Sequence, residues 1–167
     1  SAAFPYNTIG AAVAQATPGT RIRIAAGTYG AIGSFSNLQG TAVEPIALVA
    51  EGAVIVDTGQ SALAMQLSDP RYVVIQGLTI QNTAPHGINI DDGGSYATPA
   101  EYVVLRGVTF RNIGTGGKGG LFDVAVDKSQ LFVQFPCRRL SRTLACFDAA
   151  LRELPRIFDV DPLQDQH

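Results

Sequence analysis

Charge is scarce in this chain. Aspartate, glutamate, lysine and arginine together make up 16% of its 167 residues, and they nearly cancel to a net charge of −2. There is no basic field to draw nucleic acid or an anionic membrane surface, so neither is expected as a partner. Long apolar runs are also missing: nothing approaches the ~20 residues needed to cross a bilayer. Cysteine is confined to Cys137 and Cys146. If that region is helical, a rise of ~1.5 Å per residue sets the two roughly 13 Å apart. A disulfide needs Cα atoms within about 7 Å, so the pair does not fix a redox compartment. Ser1-Ala2-Ala3 reads as a trimmed mature start or as a fragment boundary. What the chain does have is glycine, 18 residues of it, and a 46% hydrophobic fraction. That suits one domain of stacked strands joined by tight turns.

The strongest internal signal is a repeat. Tyr72–Asn82 reads YVVIQGLTIQN and Tyr102–Asn112 reads YVVLRGVTFRN. Self-similarity at a spacing of tens of residues marks a repeat architecture. Each copy alternates as strands do. Val73, Ile75, Leu78 and Ile80 are expected to point inward with Gly77 at a corner. Val103, Leu105, Val108 and Phe110 should repeat this around Gly107. Asn82 and Asn112 fall at one corner, where stacked amides can bond along the axis.

Other strand candidates are Arg21–Ile24, Ile46–Val49, Val54–Val56, Leu63–Leu67 and Ile88–Ile90, punctuated by Gly, Asn, Asp or Pro. Gly27-Thr28-Tyr29-Gly30 reads as a turn. No segment between these strands is long enough for the helix of a βαβ unit, which excludes a doubly wound sheet. A sandwich of hairpins does not need matching sequence in successive strand pairs, whereas a solenoid does. Before the strands, Asn7–Thr17 reads as a short amphipathic helix with Asn7 or Thr8 as N-cap and Pro18-Gly19 as its stop. It would cover the apolar first coil and its open edges.

These residues resemble a known group. Ile9-Gly10-Ala11-Ala12-Val13, then Pro18-Gly19-Thr20-Arg21-Ile22, then Ala26-Gly27-Thr28-Tyr29, look like the opening of right-handed parallel β-helix proteins of the pectin-lyase-like superfamily. Glu44-Pro45-Ile46-Ala47-Leu48 and the run Tyr72–Ile80 are similar to the next coils of polysaccharide-lyase-like members. The resemblance spans residues 7–117. It implies an all-β fold: a short right-handed parallel β-helix over 1–120 with a capping helix at 7–17. It also implies a secreted or periplasmic location and an acidic polysaccharide as partner. If the chain is an enzyme, the resemblance implies a carbon–oxygen lyase acting by β-elimination. The superfamily also holds hydrolases, adhesins and non-enzymes, so fold alone does not name an activity.

The densest polar cluster is His86 to Gly94. Asn89 and Asp91 share one outward face, and His86 could join them from the preceding turn. They are candidates for sugar hydroxyls. Asp91 with Asp92 is a candidate for Ca²⁺, although two carboxylates fall short of the six to eight oxygens calcium takes; no other cofactor is indicated. Arg106 and Arg111 stand where the first copy has Gln76 and Gln81, and a guanidinium suits a uronate carboxylate. Elimination also requires a base and a proton donor. No convincing base precedes Lys118, so no catalytic residue is assigned. Asp91 and Asp92 point to opposite faces of a strand, a poor arrangement for glycoside hydrolysis.

A third copy of the repeat is due near residue 132, and its Gly-aliphatic-Thr centre is missing. After Gly120 glycine disappears. Leu140, Leu144, Phe147, Leu151 and Leu154 then fall at near-helical spacing, which predicts a helix over 139–154 within a divergent segment 121–167 and a frayed tail after it. Two explanations compete: a C-terminal cap on a short solenoid, or a shift of reading frame near Lys118 that replaces further coils. The coding DNA separates them. The expected function is a carbohydrate-associated β-helix, a fragment of a polysaccharide-lyase-like protein without a complete active site. The alternatives are an active lyase on a uronate glycan and a non-catalytic glycan-binding or surface scaffold.

Overall fold

The computed structural model describes residues 5–84, 86–93 and 100–114, together with the main chain of 122–124 and 131–134. It is a parallel β-solenoid. Long strands β1 (Arg21–Tyr29), β3 (Ile46–Asp57) and β5 (Arg71–Thr83) alternate along the chain with short strands β2 (Gly33–Ser36), β4 (Met65–Ser68) and β6 (Ile88–Asp91). The chain continues through β7 (Glu101–Arg106), β8 (Thr109–Ile113), β9 (Phe122–Val124) and β10 (Leu131–Gln134). The long strands stack as β1-β3-β5-β7-β10, with β8 also on β5, and the short ones stack as β2-β4-β6-β9. All these pairings are parallel and join equivalent positions of successive coils: Ile46 faces Val73, and Val73 faces Val103.

Two of the predicted strand pairs are single bent strands, whereas the pair around Gly107 falls on two separate strands, β7 and β8. Ile46–Val49 and Val54–Val56 are the two halves of β3, and Val73–Ile75 and Leu78–Ile80 are the two halves of β5. The bend sits where predicted: Gly77 has φ +78 and Gly107 has φ +59, a region that L side chains enter at a cost. Gly27-Thr28-Tyr29 is not a turn. It extends β1, because a register shift between Ala25 and Gly27 lets the strand bend and stay paired with β3. The capping helix is shorter than the predicted 7–17: α1 spans Ile9–Val13. Thr8 is the N-cap, its hydroxyl accepting from the Ala11 N–H at 3.1 Å. Ile9 and Val13 are buried with the first coil.

The inward positions form one column per coil position. Leu48, Ile75 and Leu105 are in register and fully buried, as are Ile46 and Val73. Each such side chain contributes about 1.5–3 kcal/mol by leaving water. Phe110 lies at the rim, half-buried and packed against the core. Val49, Val74 and Val104 are also shielded, at 9%, 7% and 8% exposure, yet they lie outside the inner cluster. Strand alternation puts them on the outward face, so burial here does not report core membership.

Thr83 is the opposite case, a polar group inside. It is fully buried and its hydroxyl has no partner among the described residues. An unpaired buried hydroxyl costs about 1–3 kcal/mol. Thr83→Val keeps the shape and removes the group. It is expected to raise stability by about 1 kcal/mol and the melting temperature by about 2–4 °C. A thermal melt with no rise would show that the hydroxyl is satisfied.

The third copy of the repeat, missing as a motif, is present as backbone. Leu131–Gln134 pairs with Val103–Arg106 in register, and Phe122–Val124 pairs with Ile88–Ile90. Parallel pairing is a main-chain property and does not require the Gly-aliphatic-Thr sequence. The predicted helix over 139–154, the tail after it and both cysteines lie outside the described residues.

Candidate functional site

Three outward surfaces follow from the bends: one for each half of the long strands, and one on the short strands. The predicted residues divide among them. Arg106 ends β7, outward in the column Arg23–Val49–Gln76–Arg106. Arg111 lies on β8 in the column Asp57–Gln81–Arg111. Asn89 and Asp91 lie on β6, in the other sheet. The fold therefore joins Asn89 to Asp91, and carries Arg106 and Arg111 on the six-stranded sheet, away from them. His86 precedes β6 and Asp92 follows it, both half-buried.

Asn89 and Asp91 belong to a network with two residues the sequence did not single out, Gln66 and Ser68 of β4. Gln66 faces Asn89, and Ser68 faces Asp91. Asn89 Nδ2 donates to Gln66 Oε1 at 2.7 Å and to Asp91 Oδ2 at 3.0 Å. Gln66 Nε2 donates to Asp91 Oδ2 at 2.5 Å and to Ser68 Oγ at 3.3 Å. The Gly93 N–H donates to Asp91 Oδ1 at 3.0 Å. Burial pushes the Asp91 carboxyl up. The bonds from Ser68, the Gly93 N–H, Gln66 and Asn89 together outweigh this and hold it below its usual range.

Both Asp91 oxygens accept N–H groups, and the described residues contain no group of three or more His, Cys, Asp or Glu side chains able to hold a metal.

The asparagine corner is as predicted. Asn82 and Asn112 are left-handed, with φ of 50 and 47, and Asn112 Nδ2 donates to Asn82 Oδ1 at 2.7 Å. Asn82 Nδ2 in turn donates to Asp57 Oδ2 at 2.7 Å. The amide chain runs in one direction and ends on a carboxylate, which can only accept. Gln81, the Gly59 N–H and Asn82, in that order, lower the Asp57 pKa. A depressed acid stabilises the fold above its unfolded pKa, about 3.9. That stability is lost as pH falls through the lower folded value. Wild-type stability should therefore drop below about pH 4, and Asp57→Asn should flatten the drop. Denaturant midpoints across that range check this, and equal slopes in both proteins would contradict it.

At the start of each copy, Tyr72 and Tyr102 stack with ring centroids 4.4 Å apart and planes 8° from parallel. Both are left-handed non-glycine residues, with φ of 49 and 54. Their identity in the two copies was the signal for this stack. Beside them Arg71 donates to Glu101 Oε2 from Nε at 2.9 Å and from Nη2 at 2.6 Å. Arg23 pairs with Glu51. Arg106 and Arg111, like Arg21, make no hydrogen bond or ion pair with any described residue, unlike Arg23 and Arg71.

No family model, no curated protein and no solved structure matches this chain. The class that its fold defines is a mainly β parallel solenoid with a small helix near its N-terminus. Among the described residues no helix is long and apolar enough to cross a membrane.

Proposed function

We propose that this chain is a carbohydrate-associated β-helix of the pectin-lyase-like kind, and that it holds an acidic polysaccharide through Arg106 and Arg111. The observation that carries the reading is the contrast among its arginines. Arg23 and Arg71 are neutralised by Glu51 and Glu101; Arg21, Arg106 and Arg111 have no carboxylate among the described residues, and of these three only Arg106 and Arg111 replace glutamines of the preceding coil. A guanidinium can take a uronate carboxylate through two parallel N–H bonds. The solenoid offers a regular lateral surface with strands about 4.8 Å apart, on which a chain-like ligand can meet successive coils.

Binding is favoured over turnover. Elimination needs charge neutralisation, a base at the sugar carbon and a proton donor for the leaving oxygen. The two arginines serve the first role, and no described residue stands beside them as a base or acid. A secreted or periplasmic location goes with this reading. Titrating the full chain with a polyuronate should show binding. A charge-assisted bond contributes about 1.5–3 kcal/mol, so Arg106→Ala and Arg111→Ala should each weaken it by about tenfold or more. No unsaturated product should appear in ultraviolet absorbance. Unchanged binding in the double variant would overturn the assignment of the arginines, and product formation would overturn the absence of turnover.

A further inference from the structure

The short-strand sheet has the opposite chemistry from the arginine-bearing surfaces. Its outward positions are Ser34 and Ser36 on β2, Gln66 and Ser68 on β4, and Asn89 and Asp91 on β6, in register across three coils. All are small or polar, and these strands carry no lysine or arginine. The amides of this face have spent their donors, while the hydroxyls of Ser34 and Ser36 keep theirs. Both amide protons of Gln66 and both of Asn89 go to partners within the network. Acceptors remain: no described donor reaches Asn89 Oδ1, and Gln66 Oε1 accepts only from Asn89 among the described residues. The hydroxyls of Ser34 and Ser36 are exposed and have no partner there.

A ligand that meets the amide oxygens of this face must bring hydrogen-bond donors, and it must not bring negative charge, which Asp91 would repel. The amides are locked by their mutual bonds, so little ordering cost remains when a ligand arrives. A row of hydroxyl groups along a sugar chain meets these requirements. So does a row of ammonium groups on an amino-sugar chain.

We infer that the outer face of β2, β4 and β6 is a second glycan site that takes a sugar chain free of anionic groups, through its hydroxyl or ammonium donors. It is independent of the site at Arg106 and Arg111. The test uses the full chain and three probes in calorimetric titrations: a neutral glucose hexamer, a glucosamine hexamer and a uronate hexamer. The neutral hexamer is expected to bind, and the glucosamine hexamer to bind more tightly because of the Asp91 charge. Ser34→Arg with Ser36→Arg places two bulky cations on the face at exposed positions that the fold does not use. This variant should keep the wild-type melting temperature, weaken both non-anionic hexamers by about tenfold or more, and leave the uronate hexamer no weaker. Failure of both non-anionic hexamers to bind the wild type would overturn the inference. Binding that survives the double substitution would do so too, as would competition by the uronate hexamer for the same site. Loss of uronate binding alone would count against the arginine site and leave this one standing.

Discussion

Gly40→Ala is expected to be among the most damaging single substitutions in the chain. Gly40 is buried between β2 and β3, next to the isolated bridge between Gln39 and Arg71. Its N–H donates to the Arg71 carbonyl at 2.7 Å. A methyl group there would meet the Tyr72 oxygen at 2.6 Å, the Ile46 nitrogen at 2.9 Å and the Pro45 Cα at 3.1 Å. All three are main-chain atoms of the next coils, so no side chain can swing aside. Overpacking costs about 1–3 kcal/mol and more when backbone must move. The expected loss is about 3 kcal/mol or more, or about 6–12 °C in melting temperature. Gly30 provides the control: nothing lies within 4 Å of its added methyl group. Gly30→Ala should stay within about 0.5 kcal/mol of wild type. Equal effects at the two positions would show that the coils are not stacked as closely as described.

Ile75→Ala is expected to cost about as much by the opposite route. Ile75 is fully buried between Leu48 of the coil before and Leu105 of the coil after. Removing most of its side chain loses transfer energy and leaves a cavity that rigid stacked strands cannot close. Such changes cost about 2–5 kcal/mol, and a value near the middle of that range is expected in denaturant unfolding. Ile75→Val should cost only about 1 kcal/mol. A loss below 1 kcal/mol for the alanine variant would place Ile75 outside the core.

The repeat made the core legible. Strand period sets which way Val73, Ile75, Leu78 and Ile80 face, all inward, and the spacing of the two copies sets the asparagine corner. Two kinds of feature were not legible. Pairing needs only main-chain groups, so β10 stacks on β7 without the motif that marks the earlier coils. Contacts between coils depend on residues far apart in sequence. Gln66 meets Asn89 and Asp91, and Asp57 meets Gln81 and Asn82, through a register that no local pattern encodes. For the same reason the candidate site divided: Asn89 and Asp91 are local neighbours and stayed together, whereas Arg106 and Arg111 are carried to the other sheet.

The parallel stacking of coils is the claim on which the core, the amide networks and both proposed glycan surfaces depend. Nuclear Overhauser contacts between backbone protons test it most directly. Parallel-strand contacts are expected to link Val73 with Val103 and Ile75 with Leu105, and the same pattern to link Ile46 with Val73. Antiparallel contacts between Val73–Ile75 and Leu78–Ile80, as in a sandwich of hairpins, would contradict it.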